Sequence, residues 1–189
     1  MREVVRCGWV NLKNPVYVEY HDKEWGKPLH NDQKLFELLC LEGAQAGLSW
    51  ETILNKREEY SKCFWNFDIE KILKKTDEQL LDRMTKYGII KNRLKVLGVK
   101  KNAVAYKKIV KEYGSLDKYL WSLVNDKPIN NRLRTYKDGA TQTEISEKMS
   151  KELKKYGFTF IGPVICYAFM QASGMVNDHE VACTARQKK

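Results

Sequence analysis

The chain has 189 residues, 43% of them hydrophobic, and a formal net charge of +10. This length and composition suffice for one domain with a sizeable core, which excludes an intrinsically disordered protein. The positive charge favours a polyanionic partner, with nucleic acid the first candidate, although many basic proteins carry only a solvated charged surface.

The chain up to Trp50 is unusually rich in large aromatic residues. After Trp9 comes a turn at Asn14-Pro15, and the other members of the group are Tyr17, Tyr20, Trp25 and Trp50. An aromatic residue at any single position most often packs in a core. Because these five crowd near the acidic residue described next, they favour a stacking box, in which ring faces attract a flat cation.

A helix is predicted from Asp32 to Ala46, because leucines recur there at helical spacing. Glu42 lies on the same stripe and therefore faces inward. A carboxylate that loses its hydration is destabilised unless something compensates, or else it becomes protonated. Glu42 belongs either to a pocket for a flat, cationic ligand or to a buried pair with Arg, Lys or Tyr, and the pattern alone leaves both interpretations open.

Apolar residues at helical spacing predict five further helices. They cover Trp50 to about Tyr60, 69–73, 80–84, a lysine-rich stretch from Gly88 through Ile109, and Leu116 to Val124. Gly47 suits the end of the preceding helix, Ser49 suits an N-cap, and Thr76 suits a capping start. Residues 125–143 are predicted to form a surface loop. No strand is predicted, so the fold class is all-α.

Two helices near the C-terminus, Glu144 to Tyr156 and Val164 to Ser173, are predicted to form a hairpin. Gly157 suits the position after the first helix, and Pro163 suits the first turn of the second. Such a turn leaves backbone N–H groups at a helix N-terminus, which is a site for a DNA phosphate. The candidate DNA-binding residues of the turn are Gly157, Phe158, Thr159, Phe160, Ile161 and Gly162. An ordinary helical hairpin without DNA binding is the alternative.

Neither a signal peptide nor a membrane span is predicted. The residues after Met1 contain no apolar core of signal-peptide length, and the apolar run 160–176 is interrupted by Gly162-Pro163, Gln171 and Ser173. The five cysteines occur at no paired spacing, which fits a reducing compartment better than a disulfide scaffold. We therefore expect a cytoplasmic protein.

Four residues near the two ends of the chain are candidate metal ligands. His179 and Cys183 are spaced i, i+4, so on one helical turn they would project to the same side. Cys7 and His21 supply a second thiol and imidazole. Together they would complete a closed tetrahedral zinc site, which is structural rather than catalytic. Unrelated residues are the alternative, and the remaining cysteines are predicted to pack in the core.

Several of these motifs closely resemble the 3-methyladenine DNA glycosylase I family of bacterial repair enzymes. The resemblance extends from about Cys7 to Cys183. It is carried by Cys7-Gly8-Trp9, by Tyr20-His21-Asp22-Lys23-Glu24-Trp25-Gly26, by Leu41-Glu42-Gly43-Ala44-Gln45-Ala46-Gly47-Leu48-Ser49-Trp50, and by Gly174-Met175-Val176-Asn177-Asp178-His179.

The resemblance implies a helix-hairpin-helix DNA glycosylase fold, with residues 1–189 as one domain and the hairpin unit at about 144–174. It implies one structural zinc ion that ties segments 7–21 and 179–183 through Cys7, His21, His179 and Cys183. Glu42 matches the acid that recognises the base, and the aromatic residues match the pocket wall: Trp9, Tyr17, Tyr20, Trp25 and Trp50. The Gly47-Leu48 turn matches the element that fills the duplex where the nucleotide leaves.

The activity implied by the resemblance is hydrolytic excision of 3-methyladenine from alkylated double-stranded DNA by a monomer, releasing free 3-methyladenine and leaving an abasic site. Val164 stands where lyase-type relatives carry a nucleophilic lysine, which favours simple hydrolysis. Asp178 lies near an aspartate that many superfamily members use, but it adjoins His179 and could orient that ligand instead. The rival interpretations are 3-methylguanine or broader alkyl-base specificity, and a zinc-stabilised DNA-binding protein without catalysis.

Overall fold

Helices account for nearly all regular structure in the part of the chain that the computed structural model describes, residues 4–186. They are α1 (Pro15–Lys23), α2 (Asp32–Gln45), α3 (Trp50–Leu54), α4 (Arg57–Cys63), α5 (Ile69–Leu73), α6 (Asp77–Lys86), α7 (Arg93–Tyr113), α8 (Leu116–Ser122), α9 (Glu144–Tyr156) and α10 (Pro163–Ala172). Short 3-10 turns occur at Trp65–Phe67 and Tyr136–Asp138. The prediction of a helical protein is confirmed.

The central element is α2, which contacts α3, α7, α8 and α10. It begins where the side chain of Asn31 accepts a hydrogen bond from the backbone N–H of Lys34 at 3.0 Å. Its leucines and Phe36 are buried on several sides, so the helix runs through the core rather than along its surface. Glu42 lies in the last turn of this buried helix and is therefore carried into the interior.

Three boundaries differ from the predictions. The helix predicted from Trp50 to about Tyr60 is broken in two, because α3 ends at the C-cap Asn55 and Lys56 has a non-helical backbone. The lysine-rich helix α7 begins at Arg93 instead of near Gly88, since the side chain of Asn92 caps it. The segment after the Asn14-Pro15 turn, for which no element was predicted, is the helix α1, capped by Asn14.

The stretch predicted as a surface loop contains a short strand, β1 (Ile129–Asn130), which pairs in parallel with β2 (Val176–Asn177). Two residues per strand are too few for an alternating pattern in the sequence, which explains why no strand was predicted. The pairing draws residues 129–136 toward the segment that follows α10. The loop therefore contributes to the interior arrangement of the site.

The hairpin of α9 and α10 is present near its predicted position. Thr143 caps α9, Gly157 ends it in the left-handed conformation, and Pro163 occupies the first turn of α10. A continuous cluster of buried side chains extends from Cys7 to Cys183. The first and last three residues of the predicted unit 1–189 lie outside the described residues.

Among residues 4–186, no helix combines the length and the apolar character that a membrane crossing requires. The apolar α10 has ten residues, fewer than the roughly 20 that span a bilayer. Its buried faces pack on α2 and α9.

Candidate active site and metal centre

A cavity of about 230 Å³ opens where α1, α2, α3 and α10 approach the segment that follows β1. An engineered cavity of about 150 Å³ holds a benzene ring, so this one has room for a flat bicyclic base. The residues predicted to surround a base all lie in its wall: Trp9, Tyr17, Tyr20, Trp25, Glu42 and Trp50.

Glu42 is the most unusual group in this wall. Its side chain is 2% exposed, and its Oε2 has no hydrogen-bond partner within residues 4–186. Burial raises the pKa of this carboxyl to about 8. Neither an ion pair nor a tyrosine hydrogen bond to Glu42 is present in the described part of the chain, so the alternative of a structural pair with Arg, Lys or Tyr does not hold there. An unpaired buried carboxyl beside a cavity is typical of a ligand site.

Aromatic rings form two sides of the cavity. Trp9 lies between Tyr17 and Trp25, with centroid separations of 5.2 Å and 4.8 Å. Tyr20 and Trp50 form a second pair at 5.4 Å. Burial, with smaller contributions from Glu51 and Glu42, raises the pKa of Tyr17 to about 12. Both tyrosines therefore keep their hydroxyl protons, because burial raises the pKa of Tyr20 well above its usual value too.

Two more polar groups in or beside the wall are unpartnered. Gln45 Oε1 and Trp50 Nε1 are buried and have no hydrogen-bond partner within residues 4–186. Buried polar atoms without partners are rare in native proteins and are destabilising unless a ligand or water satisfies them. Together with Glu42 Oε2, they offer two acceptors and one donor near the same small space.

Asp178 lies in the wall of the same cavity, although it comes from the segment after β2. Its carboxylate is 2% exposed and accepts three hydrogen bonds. The donors are Tyr167 Oη at 2.8 Å, Gln171 Nε2 at 2.8 Å and Asn131 Nδ2 at 2.7 Å. The sequence suggested that Asp178 could orient His179, but no hydrogen bond joins the two. The cavity wall therefore contains two carboxyl groups, Glu42 and Asp178.

The wall also contains residues that the sequence did not single out: Gln45, Leu133, Tyr136, Ala168 and Gln171. Gln171 had a signal, because it interrupts an otherwise apolar helix. Leu133 and Tyr136 had none, since they come from the stretch predicted as a surface loop. The pairing of β1 with β2 brings that stretch to the cavity, together with hydrogen bonds from the Val181 N–H to the Leu133 carbonyl and from the Tyr136 N–H to Glu180.

The turn after α2 projects beside the cavity. Gly47 has φ +81°, a backbone conformation that favours glycine, and Leu48 is 41% exposed. The ammonium of Lys95 on α7 donates hydrogen bonds to the carbonyl oxygens of Ala44 at 2.8 Å and Ala46 at 2.6 Å. This cation satisfies carbonyl groups that the end of α2 leaves free and complements its dipole.

The candidate DNA-binding residues of the hairpin are placed in two different ways. Gly157 and Gly162 have open space where a side chain would be, so another molecule can approach their backbone. Phe158 and Ile161 are buried and anchor the turn, which leaves only their backbone for DNA contact. Thr159 is held by Asn102, and Phe160 packs inward toward α2 and α7.

The four predicted metal ligands converge. The candidate ligand atoms of Cys7, His21, His179 and Cys183 all lie within 4.8 Å of one another, and all four residues are buried. The predicted helical turn for the last two is wrong, because the chain after β2 is irregular. Their convergence comes instead from the folding of that segment against the N-terminus, where Glu180 accepts a hydrogen bond from the Gly8 N–H.

Each histidine presents one ring nitrogen to the cysteines and has the other occupied. His179 Nδ1 lies 3.5 Å from Cys7 Sγ and 3.4 Å from Cys183 Sγ, while its Nε2 hydrogen bonds to the Trp25 carbonyl at 3.0 Å. His21 Nε2 lies 3.5 Å from Cys183 Sγ, while its Nδ1 hydrogen bonds to Asp22 at 2.7 Å. This arrangement, with the outer nitrogen bound to an acceptor, is characteristic of metal-ligating histidines.

The spacing also fits a tetrahedral ion. Bonds of about 2.3 Å to sulfur and about 2.05 Å to nitrogen, at a tetrahedral angle, separate the two ligand atoms by about 3.6 Å. The three measured sulfur–nitrogen distances are 3.4 to 3.5 Å. Burial lowers the pKa of His179 to about 4, which keeps the imidazole neutral as ligation requires.

The cysteine–histidine cluster adjoins the cavity wall. The ring of Trp25 lies 4.7 Å from that of His179, and the ring of Trp9 lies 5.3 Å from that of His21. Gly26 follows Trp25, and a side chain there would collide with the His179 ring at 2.8 Å. The cysteine–histidine cluster therefore packs against Trp9 and Trp25, which form one side of the aromatic wall.

Residues 9–187 match the sequence pattern of the methyladenine glycosylase family. The chain belongs to this family. The DNA-3-methyladenine glycosylase of Haemophilus influenzae is 48% identical over 96% of this chain and 97% of its own length. The DNA-3-methyladenine glycosylase 1 of Escherichia coli is 46% identical over 94% of this chain and 95% of its own length.

Solved structures of 3-methyladenine DNA glycosylase I have the same fold. One crystal structure superposes with a TM-score of 0.92 at 42% identity, covering 97% of this chain and 100% of that one. A tyrosine-to-phenylalanine variant in complex with 3-methyladenine also gives 0.92, at 39% identity, covering 97% of this chain and 98% of that one. The resemblance to the methyladenine glycosylase family drawn from the motifs is therefore confirmed.

Proposed function

We propose that this protein is a DNA repair glycosylase that hydrolytically excises 3-methyladenine from alkylated DNA and leaves an abasic site. The observation that carries the proposal is the unpaired, buried carboxyl of Glu42 in an aromatic cavity of the size of one base. Its relatives named DNA-3-methyladenine glycosylase, and the solved complex with 3-methyladenine, support this choice of substrate.

The reaction needs little acid–base catalysis. Methylation at N3 gives the adenine of DNA a positive charge, so the electrons of the N9–C1′ bond leave with the base, which departs as a neutral molecule. Water adds to C1′ and releases one proton to solvent. Val164 is 52% exposed at the start of α10 and has no nucleophilic group. Simple hydrolysis without strand cleavage follows.

Glu42 supplies recognition through its charge. Burial gives its carboxyl a pKa of about 8, so the group is largely protonated at neutral pH. A cationic base in contact with it favours the carboxylate and lowers this pKa. The carboxylate then accepts a hydrogen bond from the exocyclic amine, and a charge-assisted bond is about twice as strong as a neutral one. Unmodified adenine is neutral and gains no such ion pair.

The remaining wall groups orient the base. The faces of Trp9 and Trp50 provide stacking and cation–π attraction. The unpartnered Gln45 Oε1 and Trp50 Nε1 supply a further acceptor and donor toward its edge. Three donors fix the orientation of the Asp178 carboxylate in the cavity wall. We assign it to stabilising the positive charge that develops on the sugar.

Reaching the base requires the nucleotide to leave the duplex. The exposed Leu48 side chain fills the vacated stack. The N–H groups at the start of α10 bind a phosphate, with Gly157 and Gly162 allowing close approach. The net charge of +10 supports this binding electrostatically. We assign double-stranded DNA as the substrate and the monomer as the active form.

For the metal centre, we propose one structural zinc ion held by Cys7, His21, His179 and Cys183. Four buried protein ligands with no open position fit a structural ion. When bound, zinc supplies a cross-link between the two ends of the chain. The ligands themselves orient Trp9 and Trp25 by direct ring contact.

The central test is chromatography of bases released from DNA treated with a methylating agent. The wild-type protein should release mainly 3-methyladenine and leave alkali-labile sites without direct strand breaks. Glu42→Gln, which keeps the shape but cannot ionise, should release it far more slowly. No release by the wild type would contradict enzymatic function and favour a binding protein, while equal release of 3-methylguanine would contradict the assigned specificity.

A further inference from the structure

A buried asparagine binds the hairpin turn. Asn102 on α7 is 4% exposed. Its Oδ1 accepts hydrogen bonds from the Thr159 backbone N–H at 2.8 Å and from Thr159 Oγ1 at 3.2 Å, and its Nδ2 donates to the Thr159 carbonyl oxygen at 3.4 Å. The same Nδ2 lies 4.0 Å from Cys40 Sγ on α2. One side chain thus satisfies both backbone polar groups of a turn residue and touches the helix that carries Glu42.

Two glycines let the turn lie against α2 and α7. A Cβ added to Gly98 of α7 would lie 3.0 Å from the ring of Phe160 and 3.0 Å from Thr159 Oγ1. A Cβ added to Gly43, the residue after Glu42, would lie 3.1 Å from the Phe160 carbonyl oxygen. Such distances are tighter than most Cβ contacts, so a side chain at either site would push the turn away by a few tenths of an ångström. We call Asn102, Gly98 and Gly43 the turn seat.

The backbone of the turn is itself held in a costly conformation. Phe160 has φ +58°, a strained region that residues other than glycine keep only where the surrounding structure imposes it. The turn seat provides those surroundings, through three hydrogen bonds to Thr159 and close contacts on both sides of Phe160. Strain of this kind is more often associated with functional sites than with ordinary helical hairpins.

We propose that the turn seat fixes the spacing between the phosphate-binding hairpin and the base cavity, with Asn102 as a positioning residue for duplex DNA. The inference rests on the proposed function, because it takes the hairpin as the phosphate site. The flipped base and the phosphate bound by the hairpin belong to one DNA strand. The base can therefore enter the cavity while the hairpin binds the phosphate only if hairpin and cavity are correctly spaced. Displacement by about 1 Å is enough to cost up to a hundredfold in rate.

The proposal predicts a specific separation of effects. Asn102 does not line the cavity, so its loss should leave binding of free 3-methyladenine unchanged. Binding of duplex DNA depends on cavity and hairpin together and should weaken. A residue that only stabilised the core would lower the melting temperature without changing the DNA affinity of the folded protein.

Two variants and one control test this. Asn102→Ala removes the hydrogen bonds to Thr159. Gly98→Ala leaves the Asn102 side chain in place and pushes the turn outward. Away from such a contact, alanine in a helix would stabilise the protein. The control is Tyr106→Phe, which removes a single hydrogen bond from α7, to Asp32 at 3.1 Å, at the other end of α2. All are assayed below the melting temperature of the weakest variant.

The measurements are affinity at fixed salt for a duplex that carries 3-deaza-3-methyladenine, a base that enters the cavity but is not excised, tryptophan quenching by free 3-methyladenine, and KM and kcat on methylated DNA. Asn102→Ala and Gly98→Ala should each weaken duplex binding by about tenfold or more, mainly through KM, with free-base affinity unchanged. If Asn102→Ala does not fold, Gly98→Ala carries the test alone.

Duplex affinities equal to those of Tyr106→Phe would overturn the proposal, and so would a parallel loss of free-base affinity. The duplex measurements need no catalysis. A wild-type protein that released no 3-methyladenine would therefore contradict the proposed function while the comparison of duplex affinities still decided the role of the turn seat.

Discussion

Glu42 and Asp178 lie in the wall of one cavity but in opposite hydrogen-bonding environments. Three donors hold the carboxylate of Asp178, whereas Glu42 Oε2 has no partner within residues 4–186. Burial without hydrogen bonds favours the neutral form of a carboxyl group. We infer that three donors fix the orientation of Asp178, whereas Glu42 gains its charge when a cationic base arrives.

The first prediction concerns stability against pH. The pKa of Glu42 is about 8 in the folded protein and near 4.5 when exposed. Between pH 4.5 and pH 8 the carboxyl is therefore mostly ionised in the unfolded chain but mostly protonated in the folded protein. This destabilises the wild type by roughly 1.4 kcal/mol per pH unit as pH rises through that window. Glu42→Gln cannot ionise, so its free energy of unfolding should exceed that of the wild type increasingly from pH 5 to pH 8.

Urea unfolding of both proteins at several pH values measures this difference. Glu58→Gln is the control, because the Glu58 side chain is 81% exposed, and its curve should run parallel to that of the wild type. If the free energy of unfolding of Glu42→Gln also changed with pH in parallel with that of the wild type, the Glu42 carboxyl would have an ordinary pKa in the folded protein.

The second prediction concerns Asp178. Asp178→Asn keeps the size of the side chain but removes its charge and leaves one of three donors facing an amide N–H₂ group. If the carboxylate stabilises the developing sugar cation, kcat on methylated DNA should fall by about 10² or more, a size typical of losing one preorganised electrostatic group, while KM changes little. Single-turnover kinetics measure this. A fall in melting temperature with unchanged kcat would assign Asp178 a purely structural role.

Local patterns in the sequence were sufficient for much of the fold. Helical periodicity located most of the helices, and capping residues fixed their ends: Ser49 accepts from the Thr52 N–H and Thr76 forms a capping box, as predicted. Glu42 was identified because an acid on a leucine stripe has no local explanation. Each of these signals lies within about one turn of the residue concerned.

The predictions failed where contacts between distant parts of the chain decide the structure. Leu133 and Tyr136 line the cavity only because β1 pairs with β2 and Leu133 accepts a hydrogen bond from the Val181 N–H at 2.8 Å. His179 and Cys183 were chosen for helical spacing that does not exist, yet they converge because the same segment packs against the N-terminus.

The third prediction concerns the metal centre. The purified protein should contain one equivalent of zinc, and Cys183→Ser should lose it and destabilise the fold by about 4 kcal/mol or more, as loss of a structural metal does. Turnover per folded molecule should change less. Cys63→Ser is the control, because Cys63 is fully buried but outside the cluster: it should lose stability and keep the metal. Equal zinc contents in the two variants would contradict the assigned ligands.

The fourth prediction concerns support of the Leu48 turn by Lys95. Lys95→Met removes the hydrogen bonds to the carbonyl oxygens of Ala44 and Ala46, so the turn that presents Leu48 should become less ordered. Insertion into the stack matters only in a duplex. Excision from duplex DNA should therefore slow by about tenfold, the effect of a contribution near 1.4 kcal/mol, while excision from single strands stays nearly unchanged.

Leu48→Ala should reproduce this difference between duplex and single-stranded substrates, because it removes the inserted side chain directly. Lys101→Met is the matched control, since Lys101 is an exposed lysine on the same helix and its loss removes one charge without touching the turn. Equal slowing on both substrates would mean that Lys95 acts through overall charge, because attraction to phosphate does not depend on base stacking. If Lys95→Met and Leu48→Ala both slow excision from duplex DNA but not from single strands, the two residues act together in extruding the nucleotide.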